Sequence, residues 1–131
     1  MSPRGVEDAI ALAGMDTHAC AVRRGGNAAC WGKNDQGQLG DGTTASSEAP
    51  VSVVGLTDAV AVAAGYQHSC ALRRGGQVAC WGSNRRGALG DGTEERRLVP
   101  RPVRDLDDAV AIATGSTFSC ALRATGRVAC W

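Results

Sequence analysis

The chain has 131 residues, enough for a modest hydrophobic core, and a formal net charge of +1, which gives no general pull toward nucleic acid or a membrane surface. Its aromatics are three Trp, one Tyr and one Phe, so a core must be assembled mainly from Ala, Val, Leu and Cys. No apolar run reaches transmembrane length, and "MSPRGVEDAIALAG" is too short and too acidic in its apolar part for a secretory signal.

Residues 1–5 read as a lead, and from Val6 onward the chain repeats at intervals of fifty positions. "DAIALA", "DAVAVA" and "DAVAIA" begin at Asp8, Asp58 and Asp108, and the same interval separates Trp31, Trp81 and Trp131. A period of this size marks tandem units that cannot bury their apolar faces alone. The units span about 6–49, 50–99 and 100–131, the last one truncated. Met1 falls where the first strand of the first unit would lie, which predicts three, four and four strands.

In the first unit the alternating "DAIALA" strand leads to a turn at Asp16-Thr17. Met15 stands where Gly65 and Gly115 stand later, which predicts a distorted turn here. A hairpin follows, with its tip at Arg24-Gly25-Gly26; Arg74-Gly75-Gly76 and Ala124-Thr125-Gly126 are its counterparts. A three-residue hairpin loop needs its last residue in a left-handed conformation, which Gly26, Gly76 and Gly126 adopt without steric cost. That register sets Arg73 opposite Gln77, Leu72 opposite Val78, Ala71 opposite Ala79 and Cys70 opposite Cys80.

The same register pairs Cys20 with Cys30 and Cys120 with Cys130. Opposed cysteines at the closer, non-hydrogen-bonded kind of site can form a cross-strand disulfide if their Cβ atoms approach to about 4 Å. Each bridge closes a short loop and contributes at most about 3 kcal/mol. An even, regular count favours an oxidising compartment, outside the cell or in its envelope, although no export signal precedes it. Reduced core thiols are the alternative, because free Cys packs as a small hydrophobe. Zinc is a weaker reading: His18, Cys20 and Cys30, or His68, Cys70 and Cys80, offer three ligands per unit at most, and Phe118 replaces the histidine in the third. Both histidines read better as strand residues beside an inter-unit contact.

After the hairpin comes "CWGKNDQGQLGDGTT", Cys30 to Thr44, and later "CWGSNRRGALGDGT", Cys80 to Thr93. The glycines imitate a phosphate loop, but Thr43 stands where a Lys is needed and no amphipathic helix follows. Asp35 and Asp41 lack the alternate spacing and closing Glu of a calcium loop. Between the copies, Lys33, Asp35 and Gln36 become Ser83, Arg85 and Arg86, while turn glycines and apolar anchors persist. That pattern favours an architectural loop.

In the second unit Pro50–Val54, Ala59–Ala63, His68–Arg73 and Gln77–Trp81 read as strands, with no sustained helical period. Pro100 and Pro102 bracket the outer strand of the third unit, which suits a sheet edge. The Arg pairs at 23–24, 73–74, 85–86 and 96–97 read as solvated turns.

The string "VAAGYQHSCALRRGGQVACWGSNRRGALGDGT", Val62 to Thr93, resembles the repeats of the regulator of chromosome condensation family. The first unit matches through "HACAVRRGGNAACWGKNDQGQLGDGT" and the third through "ATGSTFSCALRATGRVACW". The paired cysteines are similar to those of bacterial, often exported, members. This resemblance implies an all-β fold, a β-propeller of four-stranded antiparallel blades. In it, Trp31, Trp81, Leu39 and Leu89 would wedge between neighbouring blades. Propellers close with about 4–8 blades, so a chain of under three implies an incomplete ring, part of a larger one or closed by self-assembly.

No nucleophile, base and acid set emerges, so an enzyme is not expected, and no cofactor or metal is called for. The expected role is a non-catalytic protein–protein interaction scaffold, its partner a protein and neither nucleic acid nor membrane. Candidate partner-binding residues are Asp16, Thr17, Lys33, Asp35, Gln36, Tyr66, Gln67, Ser83, Arg85 and Arg86. The alternatives are guanine-nucleotide exchange on a small GTPase, inhibition of a secreted enzyme, or a fragment without an independent role.

Overall fold

The computed structural model describes residues 8–131; the Val6 boundary and the lead lie outside the described residues. The described residues form eleven strands: β1 (Ala9–Met15), β2 (His18–Arg23), β3 (Ala28–Gly32), β4 (Ser47–Ser52), β5 (Ala59–Ala64), β6 (His68–Arg73), β7 (Val78–Gly82), β8 (Arg97–Pro102), β9 (Ala109–Thr114), β10 (Ser119–Arg123) and β11 (Val128–Cys130). They form antiparallel sheets ordered β1-β2-β3-β4, β5-β6-β7-β8 and β9-β10-β11, called blades 1, 2 and 3 below. The fold is therefore an incomplete β-propeller of four-stranded blades.

The grouping of strands differs from the expectation. The strand after Pro50 pairs backward, β4 with β3, so the blades hold four, four and three strands rather than three, four and four. The reason is geometric. The long loop leaves β3 and returns beside it, placing Val51 opposite Cys30 before the chain crosses to the next sheet. Sequence period and blade are thus offset. Pro100 and Pro102 lie in β8, the outer strand of blade 2 rather than of blade 3, where a missing N–H costs the ladder little.

The hairpin register is as the turn chemistry predicts. Leu72 faces Val78, Ala71 faces Ala79 and Cys70 faces Cys80, and Arg73 N donates to Gln77 O at 2.8 Å. Ser119 and Trp131 exchange both backbone hydrogen bonds, which makes the adjacent Cys120–Cys130 pair a non-hydrogen-bonded site. All three cysteine pairs are disulfides, each with a Cα–Cα separation of 4.0 Å. Gly26 has φ +96°, and a Cβ on it would strike the Thr57 carbonyl; its own carbonyl accepts from Ala59 N at 3.0 Å. Hairpin tip and inter-blade link are thereby locked together. Met15 does not distort its turn: β1 runs one residue further and pairs Met15 with His18.

The core lies in the seams between sheets. At the first seam Cys20, Val22 and Cys30 of blade 1 meet Ala71 and Trp81 of blade 2, with Leu39 inserted from the long loop. The second seam repeats this with Cys70, Leu72, Val78 and Leu89 against Ala121, and Trp131 packs partly buried at its margin. Trp31, the counterpart at the start of the arc, is only half-buried and belongs to neither cluster.

Candidate functional site

One face of the arc carries the turns after β1, β5 and β9 and the long loops after β3 and β7. The loops are rigid because their recurring polar residues are spent on the loop itself. Asn34 is fully buried; its Nδ2 donates to Asp41 Oδ1 (3.2 Å), Thr43 O (3.0 Å) and Ala45 O (3.0 Å), and its Oδ1 accepts from Leu39 N (2.9 Å). Asn84, Asp91 and Thr93 repeat the arrangement, with Oδ1 of Asn84 accepting from Leu89 N at 2.9 Å. The stretch that imitates a ligand-binding loop therefore binds its own backbone. Burial works against the charge of Asp91, but the Arg97 guanidinium and the Thr93 and Asn84 donors outweigh it and hold the carboxyl well below the usual range.

Each long loop is also pinned to the next blade. Ser69 Oγ and Trp81 Nε1 both donate to Gln38 O, each at 2.8 Å. With its proton spent there, Ser69 Oγ accepts from His18 Nε2 at 2.8 Å. His68 Nε2 lies 3.0 Å from Ser119 Oγ, which donates to Ala88 O at 2.8 Å. Burial pushes both imidazoles down to about 4. The histidines are thus neutral struts across the seams. Among the described residues no three His, Cys, Asp or Glu side chains gather as a metal site requires.

The residues that vary between repeats reach this same face. Lys33 N donates to Thr17 O (2.8 Å) and Ser83 N to Gln67 O (2.9 Å), so each loop starts beside its blade's turn. Asp16, Lys33, Asp35, Tyr66, Arg85 and Arg86 are exposed, whereas Thr17, Gln36 and Gln67 are half-buried. Thr17 Oγ1 donates to Tyr66 O at 3.3 Å across the first seam. Two residues are placed differently from the rest. Ser83 is buried beneath the Tyr66-Gln67 turn instead of standing on the rim, and Arg86 points to a separate groove shared with Glu94, Arg104 and Asp105.

On the opposite face, the arginine that ends the strand before each hairpin tip is neutralised by the Asp fifteen positions earlier: Arg23 with Asp8 (2.9 Å), Arg73 with Asp58 (2.7 Å) and Arg123 with Asp108 (2.8 Å). Sequence reasoning missed these pairs, the Asn34 staple and the His–Ser struts. The first two were accessible as recurrences at fixed spacing. The struts were not, because they join residues of different blades.

Residues 26–72 and 75–122 match the family profile described as the regulator of chromosome condensation (RCC1) repeat, and a second RCC1 repeat profile matches 10–38 and 59–88. No curated protein sequence matches the chain. Among solved structures, human WBSCR16 superposes with a TM-score of 0.83 at 24% identity, covering 98% of this chain and 35% of that one. Prp20p of Saccharomyces cerevisiae gives 0.82 at 22% identity, with 97% and 34% covered. The ectodomain of the Arabidopsis thaliana receptor kinase ACR4 gives 0.64 at 25%, with 98% and 41% covered. The chain thus spans about a third of the length of the first two. With stapled Trp-Gly-x-Asn loops between four-stranded blades and profile matches over most of its length, the chain belongs to the regulator of chromosome condensation (RCC1) repeat family.

Proposed function

We propose that this arc is a non-catalytic protein-interaction scaffold that binds through the loop face. The observation that carries the reading is a division of labour. Residues that recur at fifty positions hold the loops and seams, whereas Lys33/Ser83, Asp35/Arg85 and Gln36/Arg86 change charge on a rigid frame. Rigid loops lose little conformational freedom on binding, which favours a specific contact. The structure of Prp20p was described together with that protein's binding to Gsp1p and histones; at 22% identity the likeness carries the fold, and partner binding comes to this chain as a proposal. Among the described residues no set singles out nucleotide exchange or inhibition of a secreted enzyme.

The test is affinity capture with two sets of variants that keep native circular dichroism. Asp35→Ala, Gln67→Ala and Arg85→Ala together alter the loop face; Arg24→Ala and Arg74→Ala alter the hairpin face. Captured proteins should be lost from the first set and kept by the second. An identical set of captured proteins from both would sink the reading.

A further inference from the structure

The loop face is not uniform in charge. At the seam between blades 2 and 3 a cleft of about 110 Å³ is lined by the Tyr66-Gln67 turn together with Ser116 and Thr117, where Tyr66 N donates to Ser116 O at 3.0 Å. Buried Ser83 and His68 lie at its base and exposed Arg85 at its mouth. Among the described residues no carboxylate lines it and Arg85 makes no ion pair. Ser83 is only 7% exposed.

The first seam provides the comparison within the same chain. There Lys33 and Asp35 hold the places of Ser83 and Arg85, and Lys33 Nζ lies 3.9 Å from Asp35 Oδ2. That seam also carries the exposed carboxylate of Asp16 in the turn after β1, so Lys33 stands beside two carboxylates. The second seam has a guanidinium without a counter-charge, above a pocket supplied with hydroxyls and the Gln67 amide. His68 is neutral near pH 7 and adds no charge. One cation with several hydroxyl donors matches a monoanion, and a planar carboxylate can take both N–H groups of a guanidinium edge. A phosphate dianion would call for a second cation, and Arg86 is turned to the other groove.

We infer that this cleft receives the carboxylate of an acidic side chain on a protein partner, with Arg85 as the ionic anchor and Ser83, Ser116 and Thr117 as hydroxyl donors. The inference rests on the loop-face reading for the partner, while the cleft chemistry can be tested without one.

The experiment is a backbone-amide NMR titration of the whole chain with sodium acetate, against sodium chloride at equal ionic strength. Acetate should give saturable shifts confined to residues 66–67, 83–85 and 116–117. Arg85→Gln should abolish them, Ser83→Ala should weaken binding several-fold, and Lys33→Gln should change nothing. Shifts matched by chloride, scattered over the surface, or surviving Arg85→Gln would overturn the carboxylate site, as would tighter binding of inorganic phosphate than of acetate. If acetate fails while capture still depends on Asp35 and Gln67, the cleft is refuted and the loop face stands. If acetate binds but captured proteins ignore Arg85→Gln, the assignment to a protein partner is refuted.

Discussion

His18 and His68 show how one residue type is shaped by what it touches. Each is nearly fully buried, with Nε2 on a serine of the next blade. Burial opposes the imidazolium and brings the folded-state value from 6.5 to about 4. Between those values the unfolded chain binds more protons than the folded one, so stability falls as pH drops from about 6.5 toward 4. Each histidine contributes on the order of 3 kcal/mol to that fall at most. Urea midpoints at pH 7 and pH 5 should differ clearly in the wild type, and the difference should shrink in His18→Gln/His68→Gln. An unchanged slope in the double variant would show that other groups set it.

At the level of elements, the hairpin is the unit that local chemistry specifies most fully. Its three-residue tip ending in Gly sets the register, the register opposes the cysteines, and the bridge closes the element. The bridges are equivalent in the sequence and unequal in the fold. Cys20–Cys30 and Cys70–Cys80 are buried in seams, whereas Cys120 is half-buried and Cys130 exposed. Thiol exchange requires access to a sulfur, so a mild thiol reductant should open Cys120–Cys130 first. Alkylation followed by peptide mass analysis reads the order; simultaneous loss of all three would contradict the packing described for blade 3.

For the whole molecule, seams supply the cohesion, and each needs a Trp from one blade and a loop Leu from the blade before. Trp81 is fully buried and donates to Gln38 O, while Trp31 stands half-buried at the start of the arc. Trp81→Ala should therefore cost about 3–5 kcal/mol in urea unfolding, and Trp31→Ala far less. Equal costs would mean that stability does not reside in the seams. Sheet surface beyond the seams stays open: Leu12 on blade 1 is 71% exposed and Val128 on blade 3 is 67% exposed.

Repeat period, strand identity, hairpin register and cysteine pairing were legible in the sequence, because each depends on alternation and turn geometry within a few residues. The wedge roles of Trp81, Leu39 and Leu89 were reachable only through the family resemblance. Other features needed the tertiary structure: β4 pairing backward, Ser83 buried beneath a turn, His18 finding Ser69, and Arg85 left without a carboxylate beside an open cleft. These relations join residues of neighbouring sheets or opposite loop ends. Their distances are set by how the blades stack, a property that no local pattern encodes.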